Sequence, residues 1–314
     1  MDRERAVIFV RANGSPADVA RLHFLAALAE GFGAGSDGSS TSWIGTGQNL
    51  DGGFPSRWSG ASSSIDATCF RLAQAEWAPG HERVAGVSAA LDFLVERQAP
   101  PAPEDAGGWW EEDPVRADST PPWARPGDAA ARLYLTANAG CRLFLGRRRA
   151  GGLAAATWVE TALDAGGTPP AAVSRWLAAG ALLLAGRPSR VGALLEALEP
   201  AVDHQDGAGL AWLLTTLLVA GVRPDHRLVE SAASALSERQ RPDGAIPSSD
   251  GNGFVVHATL EALRAFALIE SSTDGSQRLP GEPESTVPSV GSAPRPMPAD
   301  GSLLHSTRPP RRYG

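Results

Sequence analysis

One short pattern returns along the chain and constrains its fold more than any bulk property does. An aromatic residue, a Gln a few positions on, and then Asp-Gly appear at Trp43…Gln48…Asp51-Gly52-Gly53-Phe54. Phe93…Gln98 repeats the spacing and is followed, after an insertion, by Asp105-Ala106-Gly107-Gly108-Trp109. Asp164-Ala165-Gly166-Gly167 and Gln205-Asp206-Gly207 are weaker copies, and Gln240-Arg241-Pro242-Asp243-Gly244 is a clean one. The Asp positions lie 37 to 59 residues apart, the period of an array of stacked supersecondary units.

Between the copies the apolar residues keep helical spacing. Ser15-Pro16-Ala17-Asp18 has a capping residue, a first-turn Pro and an acid that starts a helix, after Asn13-Gly14 ends a shorter one. Further helices are predicted at roughly 63–77, 83–98, 128–147, 151–164, 170–185, 189–199, 208–221, 226–240 and 254–270, with Gly, Pro or Asp-Gly turns between them. No segment keeps a period of two, so the expected class is all-α. Helical pairs that cannot bury their apolar faces alone must stack on their neighbours. Five or so such hairpins closing on themselves form an α/α toroid around a central cavity. The sparsely charged segments 128–147, 170–185, 208–221 and 254–270 are expected on the inside, and 83–98 and 226–240 on the outside. The toroid domain is expected over 1–270. Residues 271–314, rich in Pro, Ser and Gly, are expected to be a disordered tail.

Charge removes several partners. The net charge is −7 and lysine is absent, so no broad basic field exists to hold nucleic acid. The longest uncharged run, Gly207 to Val222, is shorter than the ~20 apolar residues of a spanning helix, so no transmembrane segment is expected, although peripheral membrane contact is compatible with the sequence. The apolar start, Ala6 to Val10, is too short for a secretory leader. Cys69 and Cys141 sit in helical patterns without a CxxC partner and read as reduced core thiols, which points to the cytoplasm. Gly33-x-Gly35-x-x-Gly38 follows a helix where a dinucleotide site needs a strand, and is set aside.

The Gln-x-x-Asp-Gly-x-aromatic copies, with Pro121-Pro122-Trp123 and Leu133-Tyr134-Leu135-Thr136-Ala137-Asn138, resemble the repeats of squalene–hopene cyclases and of protein prenyltransferase β-subunits. The resemblance covers roughly residues 40–270, and the whole is similar to short, single-domain squalene-cyclase-like proteins. It implies an isoprenoid-handling protein, an apolar small molecule as partner, and no cofactor.

The resemblance also assigns candidates. The cyclases begin a carbocation cascade with an Asp-x-Asp-Asp-Thr motif whose middle acid gives the proton. Here Ser64-Ile65-Asp66-Ala67-Thr68 keeps the middle Asp and the Thr but lacks the two flanking acids. Asp66 is therefore the catalytic candidate, with Ser62, Ser63, Ser64 and His257 as its evident neighbours and slow turnover or none expected on squalene-like alkenes. The competing reading makes Asp66 the cap of its helix. The prenyltransferase zinc site needs an Asp-x-Cys that this chain does not contain, so His257 is expected to line the pocket and no metal is expected. Trp176, Trp212, Tyr134 and Phe254 are the aromatic lining candidates, able to stabilise a cation or to pack an isoprenoid. Glu111, Glu112 and Asp113 beside Trp109-Trp110, on a long insertion at 99–125 that reads as a lid, carry the alternative of a glycan-active toroid. A scaffold without a small-molecule site is the third reading.

Overall fold

A computed structural model describes residues 1–29, 45–76, 81–99, 106–110 and 120–273. The acidic run 111–113, the glycine run 33–38 and the tail from 274 onward lie outside the described residues. The protein is mostly helical. Helices α1 (Arg3–Asn13) and α2 (Pro16–Ala29) precede α3 (Ile65–Ala75) and α4 (Ala85–Glu96). After the insertion come α5 (Ala129–Leu145), α6 (Arg149–Gly166), α7 (Ala172–Leu184) and α8 (Val191–Leu198). The chain continues with α9 (Gly207–Val219), α10 (Arg227–Glu238) and α11 (Val255–Thr273). Strand structure among the described residues is one antiparallel pairing, β1 (Phe54–Pro55) with β2 (Ser63–Ser64).

Short polar side chains start the helices by taking up free N–H groups of the first turn. Ser15 and Asp18 bond each other's backbone N–H groups at the start of α2, the reciprocal box expected there. Asp128 accepts from the N–H groups of Ala130 and Ala131 at α5, and Asp206 from Gly209 at α9.

From α3 to α11 the helices divide into two sets. Helix α5 packs on α3 and α7, and α9 packs on α7 and α11. Helices α4, α6, α8 and α10 each pack on the helix before them. One cavity is lined from α3, α5, α7, α9 and α11 and from none of the other four, so those four lie on the outer side.

The clean copies of the sequence pattern are three turns of one design. The Gln48 side-chain amide donates to the Gly52 and Gly86 carbonyls, and that of Gln98 to Gly107 and Gly151. The Gln240 amide donates to Gly244 and to Asp2. In each turn the second Gly of the pattern or its counterpart is followed by a buried N–H that donates to an inner-helix threonine: Phe54 to Thr68, Trp109 to Thr136, Ile246 to Thr259. Gly52, Gly107 and Gly244 have φ of +86°, +90° and +91°, and a Cβ there would sit 2.3–2.4 Å from the carbonyl oxygen of Ala89, Ala154 or Arg5. Only glycine meets both demands. The first two oxygens belong to α4 and α6, and the third to α1. Helix α1 thus takes, against the last turn, the place that α4 and α6 take against theirs. The weaker copies do not build this turn: Asp164 pairs with Arg190, and Asp206 caps α9.

Cys69 and Cys141 are both buried, and neither is in a disulfide. No described helix is long and apolar enough to cross a membrane.

Candidate functional site

Each of the five lining helices turns one face into the cavity. On α3 and its C-cap this face includes Asp66, Phe70, Ala73 and Glu76; on α5 it includes Tyr134, Asn138, Cys141 and Leu145. The cavity volume is about 960 Å³, at the upper end of small-molecule sites.

The middle of the wall is aromatic. Tyr134 and Trp212 meet edge to face at 6.4 Å between centroids, and Trp212 meets Trp176 at 5.9 Å in the same manner. Phe70 contacts Phe254 at 6.2 Å and His257 at 4.8 Å, so α3 and the start of α11 touch across the cavity wall. All five aromatic and imidazole candidates from the sequence therefore line one space. Phe254 does so from the short turn Asn252–Phe254 ahead of α11 and not from the helix itself.

Asp66 stands in the first turn of α3 and faces the cavity, with only intermediate exposure. It is not the helix cap. Ser64 holds that position, its hydroxyl accepting from the Ala67 N–H. The Tyr134 hydroxyl donates to Asp66 Oδ1 at 2.7 Å. Burial lifts the Asp66 pKa above its ordinary value; hydrogen bonds from Tyr134 and Trp123 oppose the rise, and the Asp250 carboxylate adds to it. An acid in this setting holds its proton to higher pH while two donors orient it.

The neighbours expected for Asp66 are corrected here. Ser63 gives its hydroxyl to Asp51, and Ser64 caps the helix. The His257 ring Nδ1 lies 3.2 Å from the Arg21 guanidinium. Burial, reinforced by Arg21, holds the His257 pKa well below its ordinary value, so the ring is neutral. Tyr134, Trp123 and Asp250 are the residues that act on Asp66. Tyr134 was expected in the lining but not as its hydrogen-bond donor. The other two sit in loops, where periodicity gives no signal.

The end of the cavity around Trp123 carries Asp250 and Asp206, with Trp58 meeting Trp123 edge to face at 6.4 Å. Thr120, Pro121 and Trp123 come from the described end of the long insertion, so this segment does reach the cavity. Trp109, by contrast, is fully buried and donates its indole N–H to the Leu94 carbonyl, which leaves it no face for a glycan.

The other end is charged. Arg142 bonds Glu76 at 2.6 Å, and Arg21 bonds Glu261 at 3.2 Å, all four side chains being almost wholly buried. Burial lowers the Arg21 pKa to about 10, against the pull of Glu261. Burial also raises Glu261, and Arg264 and Arg21 resist that rise. The sequence carried a signal for this group: His257, Glu261 and Arg264 are spaced four and three apart on an otherwise apolar helix.

No protein-family model matches the chain, and no curated protein is significantly similar to it.

Among the described residues no group of three or more His, Cys, Asp or Glu side chains is placed to hold a metal ion. What the arrangement can do chemically is hold a largely apolar molecule, present one oriented carboxylic acid to it, and set π faces beside it.

Proposed function

We propose that the protein binds a linear isoprenoid in this cavity and that Asp66 protonates one of its alkenes, as in a pared-down class II terpene cyclase. The observation that carries the reading is the position of Asp66: partly buried at the cavity wall, held by Tyr134, and next to a run of three edge-to-face aromatic rings. In the reaction the Asp66 O–H bond breaks as a C–H bond forms, leaving a carbocation on the substrate. The faces of Tyr134, Trp212 and Trp176 stabilise such a cation by their quadrupoles. Loss of a proton from a neighbouring carbon ends the sequence as a cyclic or isomerised alkene, and solvent at the Trp123 end returns a proton to Asp66.

We infer the matching architecture, an α/α toroid. Its support is the one cavity shared by α3, α5, α7, α9 and α11, and the use of α1 as the outer neighbour of the last turn. On this reading the family is that of the squalene-cyclase-like and prenyltransferase-like repeat proteins, and the protein works in the cytoplasm. A glycan-active enzyme is less well supported, because the cavity wall is largely apolar and aromatic and Trp109 is core.

The test is incubation with linear C10 to C30 isoprenoids and their diphosphates, followed by extraction and product analysis. A retained isoprenoid or a cyclised product is expected, with conversion slow because two partner acids of the cyclase motif are missing. Recovery of every compound unbound and unchanged would overturn the reading.

A further inference from the structure

The cavity has two chemically different ends. Asp66 opens α3 and Glu76 caps its far end, so the two lie about 15 Å apart along one helix. Three polar atoms have no hydrogen-bond partner among the described residues: Glu76 Oε1, Nε of Arg142 in the same ion pair, and Thr216 Oγ1, whose side chain meets that of Cys141, the neighbour of Arg142, over Gly180. None of the three side chains is more than 7% exposed, and all three residues line the cavity. A pure hydrocarbon seated against them would leave each unsatisfied, which is unfavourable for charged and hydroxyl groups alike.

The charges there already balance. Of the charged side chains at this end, Glu76 and Glu261 are acids and Arg142, Arg264 and Arg21 are bases, with Asp18, 3.5 Å from Arg21, as the third acid. A phosphate would meet as much negative charge as positive, whereas a neutral group that both donates and accepts would satisfy a carboxylate, a guanidinium and a hydroxyl together. We propose that the ligand carries a neutral oxygen function, a hydroxyl at the end remote from Asp66, and that Glu76, Arg142 and Thr216 form its subsite. This rests on the isoprenoid reading above and narrows its substrate class from hydrocarbons to terminal alcohols.

Binding to the full chain is read by tryptophan fluorescence, with Trp176 and Trp212 in the wall as reporters. The probes are a linear C20 isoprenoid alcohol, the hydrocarbon of the same length, and the corresponding diphosphate. The alcohol is expected to bind about tenfold more tightly than the hydrocarbon, the worth of roughly one good hydrogen bond to a charged group. Thr216→Val keeps the side-chain shape and should erase much of that preference by weakening the alcohol alone. Glu76→Gln should do the same, and Thr216→Val decides the matter if the Glu76 variant does not fold. Equal affinity for alcohol and hydrocarbon, tightest binding of the diphosphate, or a preference unmoved by Thr216→Val would overturn the subsite and leave the isoprenoid cavity standing. No binding of any probe would overturn the proposed function and this inference with it.

Discussion

At Asp66 the helix-cap reading and the buried-acid reading predict opposite effects of one substitution. A cap that accepted backbone N–H groups would cost ~1 kcal/mol when removed. The structure gives that work to Ser64, and burial raises the Asp66 pKa above its ordinary 3.8. A folded pKa above the unfolded one means the stability contributed by protonated Asp66 is complete below about 3.8. That stability is lost as pH rises through the elevated folded value. Asp66→Asn removes the ionisation and keeps an oxygen to accept from Tyr134. Thermal unfolding of this variant should show a midpoint equal to or above wild type at pH 7, with a flatter decline between pH 4 and neutrality; a lower midpoint at both pH values would restore the cap. Tyr134→Phe removes one of the donors that hold the Asp66 pKa down, so the alkaline limb of any activity profile, where Asp66 loses its proton, should move to higher pH. An unmoved limb would mean Tyr134 does not act on the proton. How far this site was legible follows from where its residues lie. Asp66 and the aromatics stood out in a motif or on helices of regular period. Trp123 and Asp250 come from loops whose path depends on the rest of the fold.

Among the elements, the turns account for most of what the sequence made readable. A Gln, an Asp-Gly and a later Thr can be recognised by spacing because each has one fixed hydrogen-bonding task per turn. The weaker copies at Asp164 and Asp206 share letters without the Gln-to-glycine bond, and composition alone could not separate them. Thr136→Val would leave the Trp109 N–H buried without its acceptor and should cost ~1–3 kcal/mol in urea unfolding with the slope unchanged. A loss below a few tenths of a kcal/mol would show that the bond is dispensable. Gly107→Ala should be worse, since its Cβ would lie 2.4 Å from the Ala154 carbonyl oxygen at a backbone φ of +90°.

For the whole molecule, the α1 contact with the last turn joins the two ends of the helical order. Its Ala6 and Val10 bury against Leu260 and Leu263 of α11, and Gln240 clamps Asp2 by two bonds. No local pattern in the sequence announced this, because the partners are more than 230 residues apart. Deleting residues 1–13 should lower the unfolding midpoint more than Gln240→Ala does and weaken ligand retention; an unaltered midpoint would show that α1 is an ornament to the fold. Whether Asp66 gives a proton to a molecule held in this cavity is decided by running the isoprenoid incubation in D2O. Wild type should release a cyclised or isomerised product that carries deuterium at the protonated carbon, while Asp66→Asn should retain the isoprenoid unchanged. The same deuterated product from Asp66→Asn, or no product from wild type that has bound the substrate, would contradict that proton transfer.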